Sequence, residues 1–168
     1  MSKKKTDGKI NKYILPAAAV VLAIIALVVV FVSPKKSDST VTADPDATLI
    51  QINVADLSSD QITFIRLGGD SKIELLARKG EDGQVKVALG TCQSCNGSPG
   101  AYYTPENDLL KCNNCGLTFP LSVLDQPGGG CHPIMIDEDM IHVTDTGVAI
   151  DTEKLLKYEN LFEKVKAH

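Results

Sequence analysis

The chain is 168 residues long, 43% hydrophobic and only 5% aromatic, with a formal net charge of −4. Seven of its 17 Lys and Arg lie at or before Lys36, against one acid, Asp7, so from Ser37 onward ten basic residues face twenty acidic ones. A part that acidic repels phosphate backbones and attracts cations, which excludes nucleic acid as a partner.

Residues 1–12 form a basic tail carrying five lysines. Tyr13 to Ser33 (YILPAAAVVLAIIALVVVFVS) then runs 21 residues without a charge, matching the ~20 that a helix needs to cross a hydrocarbon core. A cleaved signal peptide has a shorter apolar region, ~7–15 residues, and ends in a small-x-small site. VFVSPKK offers no such site, and no cysteine follows it for lipidation. The stretch 13–33 therefore reads as an uncleaved single-pass anchor in the cell membrane. Five lysines precede it and two follow, which places the N-terminus in the cytoplasm and the C-terminal domain outside. Residues 34–47, polar and with Pro and Ser, read as a flexible tether, and 48–168 as the extracytoplasmic domain.

Within that domain, Leu49–Val54 alternates Ile50, Ile52 and Val54 against Gln51 and Asn53, a strand signal. Ile62–Leu67, Ile73–Arg78 and Val85–Leu89 are further strands, punctuated by Gly68-Gly69-Asp70 and Gly80-Glu81-Asp82-Gly83. Such turns predict a short antiparallel meander. From Cys92 to Pro133 the chain has five Cys and many Gly and Pro, with few apolar runs. A segment of that kind buries little hydrocarbon and needs a covalent or metal staple. Ile141–Val143 and Val148–Ile150 follow as a closing hairpin. Asp151 then caps a final helix with Leu155, Tyr158, Leu161, Phe162 and Val165 along one face.

The cysteines carry the chemistry. Cys92-x-x-Cys95 and Cys112-x-x-Cys115 are separated by sixteen residues, and Cys131 follows fifteen residues later. A CxxC turn sets two thiolates ~3.5–4 Å apart, and two facing turns close a tetrahedron around one ion. Gly97 and Gly116 let backbone N–H groups point at the sulfurs, and Tyr102, Tyr103 and Phe119 are candidates for an apolar wall. The expected fold is mainly β with a C-terminal helix, built around a zinc-ribbon or rubredoxin-like four-cysteine site behind an N-terminal transmembrane helix. Three chemistries fit the spacing: structural zinc, iron as a single ion or an iron–sulfur cluster, and disulfide or thiol exchange. An odd fifth cysteine argues against a purely disulfide framework. Cys131, in Gly128-Gly129-Gly130-Cys131-His132-Pro133, reads either as an added cofactor-binding or redox thiol or as an inert cysteine under a Gly-rich turn. His132 stands beside it as a candidate ligand. Asp137-Glu138-Asp139, with Met135, Met140 and His142, reads as a solvated acidic turn or as an open site for iron or copper in transit. No Ser-His-Asp order or phosphate loop is present, and neither CxxC is followed by the His of covalent haem attachment.

Thr91 to Ile136 (TCQSCNGSPGAYYTPENDLLKCNNCGLTFPLSVLDQPGGGCHPIMI) resembles the membrane iron–sulfur FtrD-like family. Its pattern is Cys-x-x-Cys-Gly with a nearby Gly-Tyr, a second Cys-x-x-Cys-Gly, and a closing Gly-Gly-Cys-Asn-Pro. The resemblance extends from about Gln61 to Val165. It implies that Cys92, Cys95, Cys112, Cys115 and Cys131 are the family's cysteines, and that the cofactor is iron or an iron–sulfur cluster. It also implies a role in membrane iron uptake by electron transfer, with an iron permease or membrane redox protein as partner. This chain departs from the pattern at Asn96, at Ala101-Tyr102 and at His132, and by its single anchor where many members carry several spans. The leading expectation is a non-catalytic redox or metal-handling accessory. The alternatives are a structural zinc-ribbon module that mediates interaction with another membrane protein, and a CxxC thiol–disulfide protein.

Overall fold

The computed structural model describes residues 39–44 and 46–166. The basic tail and the expected anchor lie outside them, and among the described residues no helix is long and apolar enough to cross a membrane.

Among the described residues, eleven short strands make three sheets. The central one has five strands in the order β1-β3-β4-β5-β9: Ser39–Ala43, Thr63–Leu67, Glu74–Lys79, Val85–Cys92 and Pro133–Met135. A second has three, β10-β11-β2: Ile141–Thr144, Gly147–Asp151 and Leu49–Asn53. A third, also of three, holds β6-β7-β8: Tyr103–Glu106, Leu109–Cys112 and Thr118–Pro120.

The expected meander exists as β3-β4-β5, antiparallel throughout, with Leu75 opposite Leu89 and Leu76 opposite Ala88. Two expectations need correction. β2 does not join the meander; it pairs antiparallel with β11, placing Ile50 opposite itself in kind at Ile150 and Ile52 opposite Val148. Its alternate side chains thereby reach the same core as the closing hairpin, a better use of an alternating strand than an outer edge. Residues 34–47, read as a tether, contribute β1, which runs parallel to β3 with Val41 facing Ile65 in register. Backbone pairing builds most of this strand: every side chain but Ala43 is exposed, and Ser39 Oγ reaches Thr63 Oγ1 at 3.2 Å.

β4 is buried from Glu74 to Arg78 because the central sheet is covered on both faces. One face (Ile65, Leu67, Leu75, Val87 and Leu89) packs on Ile50, Ile52, Val148 and Ile150 and on Leu155 and Phe162 of the C-terminal segment. The other face (Phe64, Leu76 and Ala88) packs on Tyr103, Leu110, Leu121 and Leu124, and into this second core the cysteines are set. Arg78, only 4% exposed, crosses to Asp125 at 2.9 Å and ties the 3-10 turn Leu121–Leu124 to β4. The predicted C-terminal helix is present as a broken one: helical turns at Thr152–Leu155 and Glu159–Phe162 flank a 3-10 turn at Leu156–Tyr158. Asp151 caps it as expected, its carboxylate accepting from the Lys154 N–H at 3.0 Å.

Candidate metal centre

Both CxxC units are built alike. The first cysteine ends a strand, Cys92 in β5 and Cys112 in β7, and the second sits in the turn that follows. The turns close on backbone bonds: the Ser98 N–H donates to the Cys95 carbonyl at 3.0 Å and the Gly116 N–H to the Cys112 carbonyl at 2.9 Å. Gly116 adopts φ +75°, a left-handed conformation in which a side chain is strained. After the first pair, the corresponding left-handed residue is Gly97, one position later, which accommodates Asn96 directly after Cys95.

Three contacts bring the two turns together. Ser98 Oγ hydrogen-bonds Asn114 Oδ1. The Asn113 N–H donates to the Tyr102 carbonyl at 2.9 Å. A Cβ on Gly100 would stand 3.1 Å from Asn114 Cα, so the second turn lies directly on that glycine. Cys131 comes from a third segment. β9 pairs with the end of β5, with an irregularity in register between Leu89 and Cys92. The Gln93 N–H then donates to the His132 carbonyl and the Ser94 N–H to the Gly130 carbonyl, each at 3.0 Å. Gly130, at φ +75°, turns the chain so that both bonds form. Tyr103, fully buried, donates its hydroxyl to the Cys131 carbonyl at 2.5 Å.

The result is a cluster of five free thiols. Cys95 Sγ lies 3.9 Å from Cys112 Sγ, and Cys115 Sγ lies 3.4 Å from Cys131 Sγ. The sulfurs fall into two overlapping triads, Cys92/Cys95/Cys112 and Cys95/Cys115/Cys131. Within each, all sulfurs lie within 4.8 Å of one another, and Cys95 belongs to both. The first triad is buried; in the second, Cys115 is exposed and Cys131 half-buried. Burial pushes the Cys92 thiol up, and pushes Cys112 up to about 12. Cys115 is lowered, chiefly by the backbone N–H of Leu117, and Cys131 is pushed up to about 11, chiefly by Cys115 beside it. Burial and then the neighbouring Cys92 raise Tyr103, which stays a hydroxyl donor. The groups acting most strongly on these sulfurs are burial, backbone N–H groups and other sulfurs, which hold Cys92, Cys112 and Cys131 toward the thiol and Cys115 toward the thiolate.

The other candidates for ligands belong to neither triad. His132 is in neither triad; its ring stands edge-on to Phe119, centroids 5.2 Å apart. Phe119 and Tyr103 do form part of the apolar wall. The acidic run is a solvated turn fastened to the C-terminal segment: Asp137 pairs with Lys157, Asp139 with Lys154 at 3.2 Å, and Met140 is fully buried in the first core. Sequence reasoning missed the Tyr103 hydroxyl contact and the Gly100 approach. Neither leaves a local pattern, because each partner lies at least a dozen residues away in the chain.

The sulfur set fits a thiolate-held metal: soft donors from three segments, with the sulfurs of each triad at distances that one ion can bridge. No curated protein and no solved structure matches the chain. The family model described as membrane iron-sulfur containing protein FtrD-like matches residues 48–162, which include all five cysteines and every strand after β1. The chain belongs to that FtrD-like family of membrane iron–sulfur proteins.

Proposed function

We propose that this protein is a membrane-anchored, extracytoplasmic electron-transfer or metal-handling accessory of iron uptake, and that its cysteines hold iron. Cys92, Cys95, Cys112 and Cys115 are the ligands, and Cys131 completes the site. The observation that carries this reading is the convergence of five thiols from three segments into two overlapping triads, the first of them buried. When bound, iron on thiolates supplies a one-electron couple whose potential depends on burial and on hydrogen bonds to sulfur. The chain's own part is to hold the sulfurs. β5 and β7 fix Cys92 and Cys112 in a dry wall, the Leu117 N–H stabilises charge on Cys115, and Tyr103 pins the Cys131 backbone. The exposed Cys115 gives an electron or an ion a short way out to a partner such as an iron permease or a membrane redox protein.

The apolar segment 13–33 is the anchor in this reading, with the lysine-rich tail on the cytoplasmic side. The test is metal analysis with an absorption spectrum on full-length protein purified without an affinity metal. Iron in a coloured protein that bleaches on reduction is the expected result. Colourless protein containing zinc would overturn the redox role and leave a zinc-ribbon docking module, and protein without metal but with reversibly oxidised CxxC pairs would leave a thiol–disulfide protein.

A further inference from the structure

We propose that the five sulfurs hold two metal ions, an inner one on Cys92, Cys95 and Cys112 and an outer one on Cys95, Cys115 and Cys131, with the Cys95 thiolate shared between them. This rests on the metal-binding reading above and specifies how the centre is divided.

Coordination number is the first argument. Zinc and iron held by cysteines take four ligands, at ~2.3 Å for a zinc–sulfur bond, which sets the sulfur–sulfur edge of a tetrahedron at about 3.8 Å. The 3.9 Å between Cys95 and Cys112 is of that length, the 3.4 Å between Cys115 and Cys131 falls a few tenths short of it, and the two contacts lie in different triads. Five clustered sulfurs exceed one tetrahedral shell, whereas two shells that share a corner use all five and leave one position free on each ion. A cubane cluster, with each cysteine on a different iron, would instead hold its sulfurs at separate corners rather than in tight triads.

Charge is the second argument. One divalent ion offsets two of the five thiolate charges and two ions offset four, in a pocket where Cys92 and Cys112 are fully buried. The third is that Cys131 is held in place. Two backbone hydrogen bonds to the first CxxC turn and one from Tyr103 fix its position beside Cys115. That is more support than an idle surface thiol receives.

The two positions differ in access. Tyr103, Leu110 and Leu124, all fully buried, close around the inner triad, whereas Cys115 faces solvent. The inner ion is therefore retained, and the outer one exchanges or accepts a ligand from solution at its open position.

The experiment is an anaerobic cobalt(II) titration of reduced, metal-stripped full-length protein in detergent, read by sulfur-to-cobalt charge-transfer absorption and by the cobalt electron paramagnetic resonance signal. Two equivalents per chain are expected, the second lowering the resonance intensity per cobalt because the ions share a thiolate. C131S and C115S, both outside the core, should each bind one equivalent with a full resonance signal, and circular dichroism confirms that they fold. Saturation of the wild type at one equivalent, unchanged in C131S, overturns the two-ion centre while leaving the metal reading intact. Failure of the wild type to bind cobalt through sulfur overturns both.

Discussion

At the scale of single residues, the two that organise the centre without ligating anything are Tyr103 and Gly130. Tyr103 sets a bulky ring beside the cysteines and returns its hydroxyl to a backbone carbonyl 28 residues ahead. The Tyr103→Phe variant leaves that carbonyl without its donor, and an unfolding cost of about 1–3 kcal/mol is expected by denaturant titration. It should also speed alkylation of Cys131 relative to Cys95, measured by mass spectrometry of reduced, metal-free protein. Gly130→Ala forces a side chain into a left-handed backbone, at a cost of about 1–2 kcal/mol, and should loosen the same thiol. The cysteines themselves were legible because ligand chemistry demands that residue type at that spacing. Cys131 was read two ways from its own surroundings, as a cofactor-binding or redox thiol or as an inert one, and the family resemblance alone tied it to the other four. A run of three glycines permits many paths, and only the pairing of β9 with β5 selects one.

At the scale of elements, legibility followed the side-chain pattern. β3, β4 and β5 advertise themselves by apolar residues between glycine turns, and the closing hairpin and the Asp151 cap fall where the pattern puts them. β1 escaped because its residues, Ser-Thr-Val-Thr-Ala, look like linker by polarity, although they are β-branched and fit an edge strand. The partner of β2 escaped because alternation tells which face is buried and not which strand lies alongside. Glu74, at the start of β4, is an acid set into this sheet, and burial raises its pKa against the opposing pull of Arg66. A folded-state value above the unfolded one means that the fold favours the protonated form. Its contribution is thus fully present below the unfolded value and lost as pH rises through the folded one. Wild type should therefore gain stability relative to Glu74→Gln on acidification from neutral pH, and urea unfolding of both proteins at several pH values measures that difference.

At the scale of the whole molecule, one sheet serves two cores of different purpose. The face toward β2 and β11 carries no cysteine, and the opposite face carries the cysteine sulfurs. The contrast is testable with two truncations of equal chemistry. Leu155→Ala and Leu124→Ala each empty a fully buried site and should each destabilise by about 2–5 kcal/mol. Only Leu124→Ala should also accelerate loss of metal to a chelator, because only Leu124 packs against the cysteine lobe. Equal chelation rates in the two variants would show that the cores are coupled through the sheet rather than divided by it.

The C-terminal segment touches both sides of this division. Val165 packs against both cores, and the Lys166 N–H donates to the Pro99 carbonyl at 3.1 Å, on the loop that leaves Cys95. Lys166 thus ties the described end of this segment to the loop beside the first cysteine turn. A polyhistidine purification handle placed there would bring foreign imidazoles within reach of the very sulfurs whose occupancy is to be counted. Such a handle also binds cobalt itself, so the count belongs on protein from which it has been removed.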